Sequence, residues 1–315
     1  MKIIDIPEKK FKKLTPYEID DNIINTEAKF YLLDKLGKSY KTENLLLKKI
    51  FINEGESMAN KLLTVSMLSD NEEKIGIKEL VIPKHLVAVK GDVIGVTVPK
   101  IDNARNLGLI LNDYKVSNED KIKYLEKVGK LLKKIKVLKK DGIDFSFGDL
   151  HEYNFLITEN DKLKAIDLDS AYLNSNYPLP SLYLDTNMIL KYFKDKYKGK
   201  DERNIKPNKY RLNTTGTYGT YYPNENTDIL CYDMMILNMI SSDKISKLDM
   251  QEYFDYINYL EQLGFGEDLI KCFNIVYTNS KNNINPVDFL DQIPMDRLGE
   301  SSLSVYQLKK KKKII

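Results

Sequence analysis

At 315 residues and 36.6 kDa the chain has room for two domains of roughly 150 residues each, and its composition, 42% hydrophobic and 30% charged, is that of a globular protein with a core. Its 49 basic and 46 acidic residues leave a net charge of +3, and without the five lysines Lys309, Lys310, Lys311, Lys312 and Lys313 it would be −2. That balance excludes a dedicated nucleic-acid binder with a broad basic face. Two cysteines (Cys231 and Cys272) cannot build a disulfide framework, so a reducing, cytoplasmic setting is expected, and two histidines (His85 and His151) argue against a Cys/His zinc site.

The opening stretch MKIIDIPEKKFKKL interrupts its apolar residues with Asp5, Pro7 and Glu8, so no signal-peptide core is expected. No stretch approaches the roughly 20 apolar residues that cross a bilayer. AKFYLL (28–33) and NLLLKKIF (44–51) read as strands, joined by LGKSYKT with its single Gly37. Residues 56–68 have helical spacing at Ala59, Leu62, Leu63 and Met67. HLVAVK, the turn Gly91-Asp92 and VIGVTVPKI then predict a hairpin, so the expected order is strand, strand, helix, strand, strand. From about residue 102 the pattern is mainly helical. Asn118-Glu119-Asp120 starts a helix whose stripe is Ile122, Leu125, Val128, Leu132 and Ile135, with lysines toward its end and Asp141-Gly142 closing it. FLIT (155–158) and KLKAI (162–166) predict a short hairpin turning at Glu159-Asn160-Asp161, and helical patterns return at 227–241, 249–263 and 266–278. No internal repeat is visible.

The chemistry concentrates in FSFGDLHEYNFLITENDKLKAIDLDSAYL (145–173). Asn154 immediately precedes the outgoing strand of that hairpin and Asp167 immediately follows the returning one. Antiparallel pairing brings such ends within about 5 Å between facing α-carbons. An amide oxygen and a carboxylate at one hairpin mouth suit a hard cation such as Mg²⁺. Asp149, on the loop before, is then placed to orient an attacking hydroxyl, the layout that phosphoryl transfer needs.

GDLHEYNFLI followed by AIDLDS resembles the catalytic loop and metal-binding motif of the protein-kinase-like superfamily. Its form is nearer to bacterial eukaryotic-like kinases, atypical kinases of the RIO type and aminoglycoside or choline phosphotransferases than to ordinary eukaryotic kinases. The resemblance implies an α+β, bilobal fold. An antiparallel-sheet N-lobe with one helix would span 1–101, and a mainly helical C-lobe would span 102–315 with a basic tail at 309–315. It implies Asp149 as catalytic aspartate, Asn154 and Asp167 as metal ligands, and ATP and Mg²⁺ as cofactors. The family's Asp-Phe-Gly reads Asp167-Leu168-Asp169 here, which adds a carboxylate, and Phe147-Gly148-Asp149 stands where protein kinases have His-Arg-Asp. His151 either contacts phosphate or braces the loop.

The remaining family features map in order. Leu45-Leu46-Leu47-Lys48-Lys49-Ile50 resembles the strand that carries the phosphate-binding lysine, and alternation puts Leu46 and Lys48 on one face, with Lys49 facing solvent on the other. The partner of Lys48 is expected to be Glu56, with Glu54 as its rival. The glycine loop is reduced to Gly37-Lys38-Ser39-Tyr40. Val98-Pro99-Lys100-Ile101 matches the hinge, with the Pro99 carbonyl and the Ile101 amide facing adenine. Asp228 matches the helix aspartate that ties down the catalytic loop through amides around Phe147 and Gly148, and 170–222 would be a divergent activation segment.

The reading is therefore an ATP- and Mg²⁺-dependent phosphotransferase, a bacterial-type Ser/Thr/Tyr protein kinase acting on a hydroxyl. The alternatives are a small-molecule kinase of the aminoglycoside or choline type and an inactive pseudokinase scaffold. Expected partners are a protein or small-molecule acceptor and no sequence-specific nucleic acid, with a weak anionic-surface contact through the five lysines.

Overall fold

Period-two alternation in the first hundred residues and period-3.6 stripes after them build a mixed sheet beside a helical region. The computed structural model describes residues 1–17, 30–33, 36, 40, 42–52, 57–174, 212–213, 220–221, 225–245, 248, 250–275 and 284–313. The fold is α+β.

The first part runs β1 (Lys2–Asp5), α1 (Glu8–Phe11), β2 (Thr15–Tyr17), β3 (Phe30–Leu32), β4 (Leu45–Lys49), α2 (Met58–Asp70), α3 (Glu72–Ile75), β5 (His85–Val89) and β6 (Asp92–Pro99). These strands form one six-stranded sheet in the order β1-β5-β6-β4-β3-β2. Alternation splits β4 between two cores, with Leu47 buried beside Ile6, Leu33 and Val87 on one face and Leu46 beside Val65, Val96 and Val98 on the other. Two features of this region correct the expectation. The sheet is mixed, because β1 lies parallel to β5 (Lys2 opposite His85 through Asp5 opposite Ala88). Burial of Ile6 against Val87 draws the N-terminal strand to that edge, and the intervening sheet supplies the long connection a parallel pair needs. There are also two short helices, α1 and α3, besides α2.

α2 begins two residues later than the spacing suggested, with Ser57 Oγ accepting the Asn60 amide proton at 3.3 Å as its cap. Its buried face is Lys61, Thr64, Val65 and Leu68, whereas Leu63 is 49% exposed. The expected apolar stripe is thus rotated, because the face turned inward meets polar partners as well as core.

Then come β7 (Ala104–Asn106), α4 (Leu107–Asn112), α5 (Asn118–Leu138), β8 (Phe145–Ser146), β9 (Phe155–Thr158), β10 (Leu163–Ala165) and β11 (Tyr172–Leu173). Short strands β12 (Leu212–Asn213) and β13 (Thr220–Tyr221) pair with each other. They are followed by α6 (Glu225–Ser241), α7 (Met250–Gln262), α8 (Glu267–Ile275) and α9 (Leu303–Lys312). α5 is capped by Ser117, and left-handed Gly142 follows its terminal 3₁₀ turn, close to the expected ends. Its Leu125, Val128, Leu131, Leu132, Ile135 and Leu138 are buried, each stabilising by about 1.5–3 kcal/mol. One continuous core joins them to Phe155 of β9, Tyr232 of α6, Tyr253 of α7 and Phe273 of α8.

The run 309–313 is not a loose tail. Lys309 through Lys312 belong to α9, which buried Leu303 and Tyr306 hold against the core. Lys309 and Lys310 lie over the Tyr259 and Tyr306 rings, at 5.2 and 5.8 Å from their centroids. Among the described residues no helix is long and apolar enough to cross a membrane. Most of 170–222 lies outside the described residues, as do Gly37, Lys38, Glu54 and Glu56.

Candidate functional site

β4 crosses the sheet beside β6 and carries Lys48 inward. Gly95 of β6 allows the close approach, because a Cβ at that position would collide with the Lys48 carbonyl oxygen. Lys48 is only 3% exposed. A cation so placed must be paired, and its partners come from 119 residues further along, where the Asp167 carboxylate forms a hydrogen-bonded ion pair with Nζ. Asp169 Oδ1 lies 2.8 Å from the same Nζ. Burial by itself would depress the Lys48 ammonium, but the Asp167 and Asp169 carboxylates more than offset it and hold the amine above its ordinary value. Burial raises the Asp169 carboxyl, against the pull of Lys48. These two aspartates are the described partners of Lys48; Glu56 and its rival Glu54 fall outside the described residues. Lys49, expected on the solvent face, is half-buried with its ammonium 5.4 Å from the Phe51 ring centroid.

The hairpin of β9 and β10 positions the other residues. Phe155 faces Ala165 in its register, and the Ile166 amide donates to the Asn154 carbonyl at 2.9 Å, closing the mouth. Ala165 is tied in turn to residues 79–81, donating to the Glu79 carbonyl at 2.8 Å and accepting from the Val81 amide at 2.9 Å. This bridge sets the end of β10 beneath the six-stranded sheet. Asp167 itself adopts a left-handed backbone (φ +64°), which starts the 3₁₀ turn Leu168–Ser170 and turns Asp169 back toward Lys48.

Asp149 follows Gly148, whose φ of +72° gives the turn a conformation that suits glycine. Asn154 Nδ2 donates to the Asp149 carbonyl at 2.8 Å and stands a long 3.5 Å from Asp149 Oδ2. That commits the amide nitrogen and leaves Asn154 Oδ1 as an acceptor. Asp149 Oδ1 is buried with no hydrogen-bond partner among the described residues. An orphaned buried carboxylate oxygen is rare in folded proteins. His151 is engaged inside the loop: its Nδ1 accepts the Tyr153 amide proton at 3.2 Å, and its Nε2 lies 3.7 Å from Asp149 Oδ2. Asp228 of α6 is 3% exposed and receives the Phe147 amide on both oxygens, at 3.2 and 3.0 Å. Of the amides expected around Phe147 and Gly148, Phe147 is the one described.

Lys48 and Asp167 form the polar end of a narrow cleft, whose other walls are mainly apolar: Leu46, Val81, Val98, Leu156 and Ile166, with Tyr17 and Phe30. Pro99 and Ile101 complete the lining. β6 stays paired through Pro99 to Leu45, and Lys100 donates its amide to the Asn44 carbonyl at 2.8 Å. The Ile101 amide has no acceptor among the described residues. Val81, Leu156, Ile166 and Tyr17 were not singled out from the sequence. Leu156 and Ile166 flank the recognised motif and were the readable ones; Val81 and Tyr17 reach the cleft only through tertiary packing.

Asn154 Oδ1 and the Asp167 carboxylate are hard oxygen donors, with the orphaned Asp149 oxygen nearby, and this set fits magnesium. No group of three or more His, Cys, Asp or Glu side chains forms a ready cage among the described residues. No family model and no curated protein sequence matches this chain.

Proposed function

We propose that the protein is an ATP- and Mg²⁺-dependent phosphotransferase with a bilobal, protein-kinase-like arrangement, residues 1–101 forming the smaller lobe and 102–315 the larger. The observation that carries the reading is the pairing of Lys48 with Asp167 at the polar end of an apolar cleft, between residues 119 apart in sequence. Leu46, Val81, Val98, Leu156 and Ile166 would enclose the adenine ring, while the Pro99 carbonyl accepts from it and the Ile101 amide donates to it. Lys48 would hold the phosphates at the polar end.

Asn154 and Asp167 would hold magnesium, which supplies neutralisation of phosphate charge when bound. Asp149 orients the acceptor hydroxyl and takes its proton as the new oxygen–phosphorus bond forms and the bond to the leaving diphosphate breaks. Asp228 keeps the loop in register by holding the Phe147 amide. A protein hydroxyl is the proposed acceptor, and a small-molecule hydroxyl is the alternative within the same chemistry.

Purified protein incubated with labelled ATP and Mg²⁺, alone and with protein and aminoglycoside or choline acceptors, tests the proposal. Transfer that Asp149→Ala lowers by about a hundredfold or more is expected. Absence of both nucleotide binding and transfer refutes the phosphotransferase, and an Asp149→Ala variant with full activity refutes the site.

A further inference from the structure

The Lys48 ammonium faces two carboxylates that differ in setting. Asp167 lines the cleft, whereas Asp169 does not and is only 4% exposed. Asp169 sits on the turn Leu168–Ser170, which packs against α2. Thr64 of α2 fastens that turn by donating from Oγ1 to the Ala171 carbonyl at 3.1 Å. Lys61, three residues earlier on the same buried face, donates from Nζ to the Phe51 carbonyl at 3.0 Å. The helix beside the site therefore fastens, through the Thr64 hydroxyl, the turn that carries Asp169.

We infer that Asp169 is the standing partner of Lys48, a positioning residue that keeps the ammonium at the phosphate end of the cleft while Asp167 exchanges between Lys48 and magnesium. This rests on the phosphotransfer reading above and deepens it. Nζ of Lys48 is shared by two carboxylates, of which only Asp167 lines the cleft, so a divalent cation arriving there takes Asp167 and leaves Asp169 on the ammonium. Asp169, enclosed behind the turn and out of reach of the cleft, stays on Lys48. The acid that steadies the phosphate-binding lysine then comes from the segment just after the metal aspartate. Without Asp169 the whole ammonium charge falls on Asp167, and magnesium must compete with Lys48 for it.

The test is the Mg²⁺ dependence of binding a non-hydrolysable ATP analogue to the full chain, measured by calorimetry. Asp169→Asn is expected to raise the Mg²⁺ concentration for half-maximal binding at least tenfold. A merely structural role would lower the melting temperature and leave that concentration unchanged, and an unchanged Mg²⁺ requirement overturns the inference. A double-mutant cycle of Lys48→Met and Asp169→Asn in denaturant, without nucleotide, supplies the second measurement. Coupling of at least tenfold in the unfolding equilibrium is expected, and additive effects overturn the pairing. Asp169→Ser replaces Asp169→Asn in both measurements if the asparagine variant does not fold. If the wild type binds no nucleotide the phosphotransfer reading fails, and the cycle still decides whether Asp169 holds Lys48.

Discussion

Asp233 lies on α6, the helix that also presents Asp228 to the loop carrying Asp149. It is 1% exposed, and its Oδ1 is buried with no hydrogen-bond partner among the described residues. Burial pushes its carboxyl well above the ordinary carboxylate range. The folded state therefore keeps the proton at pH values where the unfolded chain, titrating at about 3.9, has released it. A folded-state value above the unfolded one gives stability that is fully present below the unfolded value and is lost as pH rises toward the folded one. Above the unfolded value the folded protein binds more protons at this site than the unfolded chain. The contribution then falls as pH rises, by at most about 1.4 kcal/mol per pH unit, until the folded carboxyl itself ionises. Asp233→Asn has nearly the same shape and does not titrate, so it removes this slope. Denaturant unfolding of wild type and variant at pH 5, 6, 7 and 8 is the assay. The stability difference should move in favour of the variant as pH rises, by at most about 1.4 kcal/mol for each pH unit. A difference that stays constant across all four pH values would refute the argument.

Asp228→Ala leaves the buried Phe147 amide without its acceptor, which costs about 1–3 kcal/mol. The variant should melt several degrees lower and transfer phosphate poorly, while Asp228→Asn keeps one acceptor and falls between; melting and transfer equal to wild type would remove Asp228 from the site's support. Gly95→Ala places a methyl group against the Lys48 carbonyl, an overpacking cost of about 1–3 kcal/mol. Because the strain falls on the strand that carries Lys48, nucleotide affinity should drop about tenfold or more, and calorimetry showing affinity within twofold of wild type would contradict it.

The motif residues Asp149, Asn154 and Asp167 were legible because their chemistry is local: a hairpin of seven strand residues fixes which side chains meet at its mouth. Lys48 and Asp228 were singled out by the resemblance of their segments to a family pattern, with alternation separating Lys48 from Lys49, and both are buried with paired charges or amides. Element limits in the helical half were also close, since the caps Ser117 and Gly142 act on adjacent backbone. The α2 face was misread because periodicity marks apolar residues, and that helix buries Lys61 and Thr64 beside its aliphatic side chains.

Short-range physics, meaning turn conformations, caps and alternation, thus marked out the hairpin, its three oxygen-bearing side chains and the lysine strand from residue order alone. Pairing across long separations needed the fold: the parallel β1–β5 edge, the 79–81 bridge under β10, and the choice of Asp167 and Asp169 as partners of Lys48. A buried charge takes whichever counter-charge the packing brings within reach, and that depends on distances in three dimensions that sequence spacing does not encode.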